Sequence, residues 1–203
     1  MWPSGNKPWL SSSVYAGHFM MECRDRGFKI DSYRLTKFKR FLSRLIEDQF
    51  DSNIQDRAYA LYILAGLGKA QKQMALSIAE STKNSVLARI LACGALERSG
   101  LHKEAMAIFA KLDLEKLTTE NISWDMDTPQ RRLSLAALVS FDIFGMKGKS
   151  QYLCDSLIQS LRKKHWLSTQ DKALLCMTAG QKALLQNENL NSEATITVNG
   201  QSH

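Results

Sequence analysis

Proline, cysteine and long apolar runs are all scarce in this 203-residue chain, and each scarcity excludes a class of protein. The three prolines stand at positions 3, 8 and 129, so residues 9–128 lack the residue that breaks helices most strongly. With so little proline, the 11 glycines are too few for a collagen-like or low-complexity chain. No stretch approaches the roughly 18 consecutive apolar residues that a membrane-spanning helix requires. The first residues also lack the basic and apolar regions of a secretory signal.

Cysteine and histidine are scattered singly. The cysteines at 23, 93, 154 and 176 form no Cys-x-x-Cys motif, and no histidine stands at metal-ligand spacing from them. We therefore expect no metal and no cofactor. We interpret each cysteine as a small buried hydrophobic residue and each histidine as a surface or capping group. Because hydrolase, zinc-protease and nucleotide-loop motifs are missing from the sequence, we predict that the chain is not an enzyme.

Apolar residues recur at helical spacing through most of the chain, which predicts an all-α fold of about nine antiparallel helices. The predicted helices are 11–26, 31–49, 55–67, 70–81, 84–99, 101–111, 130–144, 148–164 and 168–186. We expect Thr128 and Pro129 to begin the seventh helix and a capping box from Ser168 to Asp171 to begin the last.

The predicted helices are of two kinds. Residues 133–144 are apolar nearly all round and must be covered on several sides, whereas residues 31–49 carry a basic face opposite an apolar stripe. Inner apolar helices beside outer amphipathic ones indicate two layers, as in an α/α toroid or a superhelical array. A toroid enzyme would need a carboxylate-rich centre, and the inner helix presents only Asp142.

The formal net charge of +7 suggests an anionic partner, but its clusters have a simpler interpretation. Arg34 to Arg44 follow one predicted helix face, and Arg162 to His165 occupy a last helical turn, where cations favour the helix dipole. Since no exposed aromatic residue is expected among them, we predict solvated faces and no nucleic-acid partner.

The end of the chain has a different character. Thr195 to Val198 alternate in polarity and favour a strand, and Asn199-Gly200 is a strong hairpin signal. We expect this strand to lack a partner within the chain and to begin a β-domain.

One stretch supports a different interpretation. Residues 95–109 are typical of a tetratricopeptide hairpin, although the pattern does not recur at the expected period. A helical-repeat scaffold for protein–protein interaction therefore remains the alternative.

Four stretches together resemble the thioester-type helical domain of bacterial α2-macroglobulins. Residues 2–19 are similar to that family's Trp-rich opening, and residues 56–65 to one of its helix openings. Residues 124–131 and the Trp-Leu-Ser-Thr-Gln-Asp-Lys-Ala element at 166–173 resemble its last hairpins, in the same order. The family-motif positions with an expected structural role are Trp2, Trp9, Tyr15, Asp56, Arg57, Tyr59, Trp166, Ser168, Gln170 and Asp171.

The resemblance implies an incomplete α/α toroid at residues 1–188 and a truncated β-sandwich start at residues 189–203. It also implies that the chain is part of a broad-spectrum endopeptidase inhibitor that traps proteases in the periplasm or cell envelope. The partners of the chain would be neighbouring macroglobulin-like domains and, through the full-length parent protein, proteases. The resemblance leaves open how the parent protein is anchored.

The chain also departs from the family pattern. No Cys-x-Glu-Gln thioester motif occurs, and no bait region is recognisable. By resemblance, Trp124 and Asp127 are candidates to line a thioester pocket, although a turn and a helix cap explain them as well. We expect the aromatic rings of Trp9, Tyr15, Tyr59 and Trp166 to pack in the core.

Overall fold

The computed structural model describes residues 10–47, 53–122, 127–162, 166–186, 197–198 and 201–202. Ten helices lie in this part of the chain: α1 (Leu10–Asp25), α2 (Ser32–Glu47), α3 (Ile54–Gly66), α4 (Lys72–Glu80), α5 (Val86–Glu97), α6 (His102–Ala110), α7 (Lys116–Thr119), α8 (Pro129–Phe144), α9 (Lys149–Arg162) and α10 (Thr169–Gln186). Two short strands follow, β1 (Thr197–Val198) and β2 (Gln201–Ser202).

The all-α prediction is confirmed, and all nine predicted helices are present with bounds that agree within two residues. The tenth helix is the single turn α7, which is too short to show a periodic pattern. Leu117 anchors this turn and is fully buried.

Two predicted helix starts are also confirmed. The Thr128 hydroxyl accepts a hydrogen bond from the Arg131 amide at 3.1 Å, and Pro129 takes the first position of α8. At the start of α10 the Ser168 hydroxyl accepts from the Asp171 amide, and the Asp171 carboxylate accepts from the Ser168 amide, each at 3.1 Å. This reciprocal pair is a capping box with Asp in the third position.

The helices form two layers. In the inner layer α1, α3, α5, α8 and α10 pack side by side in that order, each against the next. In the outer layer α2 packs on α3, α4 and α6 on α5, and α9 on α8. Burial follows this division at the centre of the row, since 10 of the 12 residues of α5 are buried but only four of the 16 in α2. In α10, at the end of the row, only three of 18 residues are buried. The predicted arrangement of inner apolar and outer amphipathic helices is therefore confirmed for α3, α5 and α8 and their outer neighbours.

The inner row of helices curves back on itself. Neighbouring packed helices lie about 8–10 Å apart, so a straight row of five would separate α1 from α10 by roughly 32–40 Å. Instead, side chains of α1 and α10 line the same two cavities. The architecture is therefore toroid-like, and the α1–α10 seam is the place where its two ends face each other.

Two smaller expectations are wrong. Cys93 and Cys154 are buried as expected, but Cys23 is half-buried and Cys176 is exposed, because both lie on the α1–α10 seam. The predicted strand does have a partner, since Thr197 pairs with Ser202 and Val198 with Gln201 in an antiparallel hairpin. The division into a toroid at 1–188 and a β-domain start at 189–203 stays a prediction.

A glycine-to-alanine comparison tests the close approach of the inner helices. A Cβ on Gly94 in α5 would lie 2.7 Å from the Tyr62 ring and 3.0 Å from Val139, whereas one on Gly180 in α10 would meet nothing within 4 Å. We expect Gly94→Ala to lower the free energy of unfolding by about 1–3 kcal/mol through overpacking. Gly180→Ala should raise it by up to about 1 kcal/mol, through helix propensity alone.

Urea unfolding of the two variants beside the wild-type chain measures both changes. Equal effects of the two substitutions would contradict the close packing of α5 against α3 and α8.

Candidate functional site

The carboxyl-terminal ends of the five inner helices surround a cavity of about 320 Å³, here called the carboxyl-end cavity. Each inner helix contributes side chains to its wall, which shows that these helices run parallel to one another. The polar lining comes from Glu22, Asp25 and Arg26 at the end of α1, Tyr62 of α3, Arg98 directly after α5, Asp142 of α8 and Gln181 of α10.

Arg98 connects four of the inner helices at this cavity. Its guanidinium donates to both Asp142 carboxylate oxygens, from Nε at 2.8 Å and from Nη2 at 3.3 Å, and from Nη1 to Asp25 at 3.0 Å. The Tyr62 hydroxyl donates to Asp142 at 2.9 Å, and the guanidinium lies 4.9 Å from the centre of the Tyr62 ring. Burial alone would lower the pKa of Arg98, but Tyr62 and Asp142 raise it above its ordinary value.

Arginines suit this end of the ring for an electrostatic reason. The carboxyl end of each helix carries about half a negative charge, and parallel inner helices bring five such ends together. Arg98 lies at the end of α5, and the Arg24 guanidinium donates to the Gly66 carbonyl at the end of α3. These cations offset repulsion between the helix ends.

His18 lies fully buried behind this cavity. Its Nδ1 is hydrogen-bonded to the Tyr59 hydroxyl at 2.6 Å, and its Nε2 lies 3.5 Å from the Glu22 carboxylate. Burial alone would raise the pKa of Glu22, but the neighbouring His18 and Arg26 outweigh it and lower that pKa to about 2. The expectation that histidines are surface or capping groups is therefore wrong for His18.

A second polar cluster joins the amino-terminal ends of α8 and α10. The buried Asp171 carboxylate accepts hydrogen bonds from the Ser168 and Thr128 hydroxyls, each at 2.8 Å, and Arg131 lies 3.1 Å away. Burial raises the pKa of Asp171, but these hydrogen bonds and the Arg131 charge lower it overall. The cluster explains why Ser168 and Asp171 stand where they do: they link two inner helices as well as cap one.

Asp127 has a comparable bracing role. Its carboxylate accepts from Nε of Arg132 at 2.5 Å and also from Nη2 of the same guanidinium. Arg132 in turn donates to the Leu117 and Glu120 carbonyls, which holds α7 against the start of α8. Trp124, the other candidate for a thioester pocket, lies outside the described residues, so a pocket formed by this pair stays a prediction.

The remaining predicted residues are spread through the fold. Asp56 and Tyr59 are buried in α3, Tyr15 is partly buried against the core, and Arg57 donates to the Ile46 carbonyl at 3.0 Å. Gln170 is exposed, and Trp2 and Trp9 lie outside the described residues.

One predicted core aromatic is placed wrongly. Trp166 is 73% exposed, because it precedes α10 and does not lie on that helix's inner face. The core expectation holds for Tyr59, whose side chain is buried.

Sequence reasoning missed the central group of the site, Arg98 with Tyr62 and His18. One signal was available: Asp142 is the single charge in a segment of otherwise apolar and hydroxyl residues, and a charge in a covered helix needs a partner. The partner lies 44 positions away in sequence, so no local pattern identifies it.

The chemistry open to these groups is limited. Within the described ranges, no three His, Cys, Asp or Glu side chains group in a way that could hold a metal ion. Burial raises the pKa of Cys93 to about 12, so its thiol stays protonated near neutral pH. The arrangement around Arg98 suits a structural clamp, because its acids and bases are already paired with one another.

The described fold is thus that of an α/α toroid-type helical domain. No protein-family model matches the chain, and no curated protein matches it. Among solved structures, the chain is similar to Escherichia coli alpha-2-macroglobulin activated by porcine elastase, with a TM-score of 0.71 and 19% sequence identity. The match covers 91% of this chain and 17% of that one, so the two share a fold over a small part of the larger protein.

Among the described helices, none is long and apolar enough to span a bilayer.

The lowered pKa of Glu22 gives a prediction of how the stability of the fold depends on pH. Its pKa is about 2 in the folded chain and ordinary in the unfolded one, so it stabilises the fold above about pH 5 and ceases to do so as pH falls towards 2. Glu22→Gln should lower stability at pH 7 by about 1–3 kcal/mol and flatten the loss between pH 5 and pH 2.

Urea titrations at stepped pH compare this variant with Glu80→Gln, a change at an exposed carboxylate on α4. The prediction is wrong if Glu22→Gln and Glu80→Gln give curves of the same slope.

Proposed function

We propose that this chain is part of an α2-macroglobulin-like broad-spectrum endopeptidase inhibitor that traps proteases. The observation that carries the proposal is the fold match to E. coli alpha-2-macroglobulin over 91% of the chain. The family-like elements at 2–19, 56–65, 124–131 and 166–173 occur in the order that the resemblance requires. The proposed location is the periplasm or cell envelope, and the proposed partners are proteases and neighbouring macroglobulin-like domains.

In this proposal the helical ring is a rigid platform and supplies no reactive group of its own. Its cysteines are followed by Arg24, Gly94, Asp155 and Met177, so none of them begins a Cys-x-Glu-Gln motif. The polar clusters around Arg98 and Asp171, at opposite ends of the inner helices, would let the ring move as one body when a bait region is cut. Protease capture would depend on other parts of the parent protein.

The rival functions have less support. A helical-repeat scaffold normally forms an open array, whereas α1 and α10 here line shared cavities. A toroid enzyme would need free carboxylates at its centre, whereas Asp142 is committed to Arg98 and Tyr62. Both observations favour a structural domain.

The full-length product of the gene that contains this chain provides the test of trapping. After incubation with porcine elastase, we expect it to block cleavage of a large protein substrate while a small peptide substrate is still cleaved. The physical reason is that a cage excludes substrates by size and leaves the protease active site open. The 203-residue chain alone should give no protection and no adduct that survives denaturation.

Two results would contradict the proposal. Failure of the full-length product to protect the large substrate at any molar ratio would remove the trapping function. Equal inhibition of both substrates would indicate an active-site inhibitor of a different kind.

A further inference from the structure

The outer helix α2 carries a row of cations that no described carboxylate neutralises. Five basic residues and one acidic residue give this 16-residue helix a net charge of +4, out of +7 for the whole chain. Lys37, Arg40 and Arg44 are exposed, and none of them takes part in an ion pair within the described ranges. Among the described residues, this charge is therefore available to a partner.

These side chains lie in a straight line. Tyr33, Lys37, Arg40 and Arg44 are spaced by four, three and four residues, which places them within roughly 60° of the helix circumference along about 17 Å. We call these four residues the basic stripe. The opposite side of α2 is held in the fold, because Leu42, Leu45 and Ile46 are buried.

One exposed aromatic ring lies with these cations. Tyr33 is 65% exposed, and the Lys37 ammonium lies 4.4 Å from its ring centre. The expectation that the basic patch lacks exposed aromatics is therefore wrong, because Tyr33 lies on the side of α2 opposite the buried Leu42.

We propose that the basic stripe docks on the surface of an anionic lipid bilayer. Each Lys or Arg held near such a surface increases binding, and aromatic rings rest at the boundary between headgroups and acyl chains. Reversible membrane binding commonly needs two such signals, and this surface combines a polybasic row with the exposed ring of Tyr33.

The geometry favours a bilayer over a nucleic acid. Single-stranded nucleic acids bind in a charged groove with ring faces open for base stacking. Here the cations project from an outer helix, and Lys37 covers one face of Tyr33. The inference is independent of protease trapping and can be tested without it.

The test is co-sedimentation of the 203-residue chain with vesicles of phosphatidylcholine, with or without about 30% phosphatidylglycerol, at roughly 0.1 M salt. The stripe variant is Lys37→Gln/Arg40→Gln/Arg44→Gln. Its control is Lys72→Gln/Lys83→Gln/Lys103→Gln, which removes the same charge from three exposed positions elsewhere. Circular dichroism checks that both variants unfold at the wild-type temperature.

The wild-type chain should bind the anionic vesicles and should not bind the neutral ones. Each lost cation lowers the partition coefficient about fivefold, so the stripe variant should bind roughly 100-fold more weakly. The control should bind within about threefold of wild type, because none of its charges lies on α2.

Three results would overturn the inference. The first is equal binding of the wild-type chain to both kinds of vesicle. The second is an equal loss of binding in the two triple variants, which would indicate that net charge alone determines binding. Stripe-dependent binding to a single-stranded oligonucleotide that outcompetes the vesicles would assign the surface to nucleic acid.

Discussion

The packing of the inner helices depends on Arg98 and its partners Asp142, Tyr62 and Asp25. Parallel inner helices bring five negative helix ends together, and Asp142 adds a full negative charge to a helix in which 13 of 16 residues are buried. An unpaired carboxylate there would cost several kcal/mol. Because one guanidinium binds two carboxylates and covers a tyrosine ring, the same group that offsets the charge also joins α1, α3, α5 and α8.

The two ends of the ring are held by different means, and this difference organises the molecule. At the amino-terminal end, helix caps reach across to their neighbours, as Thr128 does when it donates to Asp171. At the carboxyl-terminal end, long cationic side chains cross between helices. Between them the packing is close enough that Gly94 has no room for a methyl group. Within the described part of the chain, the inner helices are thus held to one another, and the outer helices and the α1–α10 seam are open to partners.

The sequence predicted the helices and their layers because periodicity and capping are local properties. Thr128, Pro129, Ser168 and Asp171 show their roles within a few residues of one another. The centre of the carboxyl-end cavity could not be predicted in this way, since Arg98, Asp142 and Asp25 come from distant elements. The exposure of His18 and Trp166 was predicted wrongly because it depends on tertiary packing: His18 lies in the middle of α1 on a buried face, and Trp166 precedes α10 and is exposed.

A double-mutant cycle on Arg98 and Asp142 tests the central claim most directly. Arg98→Gln, Asp142→Asn and the double variant are unfolded in urea, with the exposed pair His102 and Glu97 as a reference cycle. We expect a coupling energy of about 1.5–3 kcal/mol for Arg98 with Asp142 and below about 0.5 kcal/mol for the reference pair. Additive effects of the two substitutions, within about 0.3 kcal/mol, would contradict the claim that this contact holds the ring together.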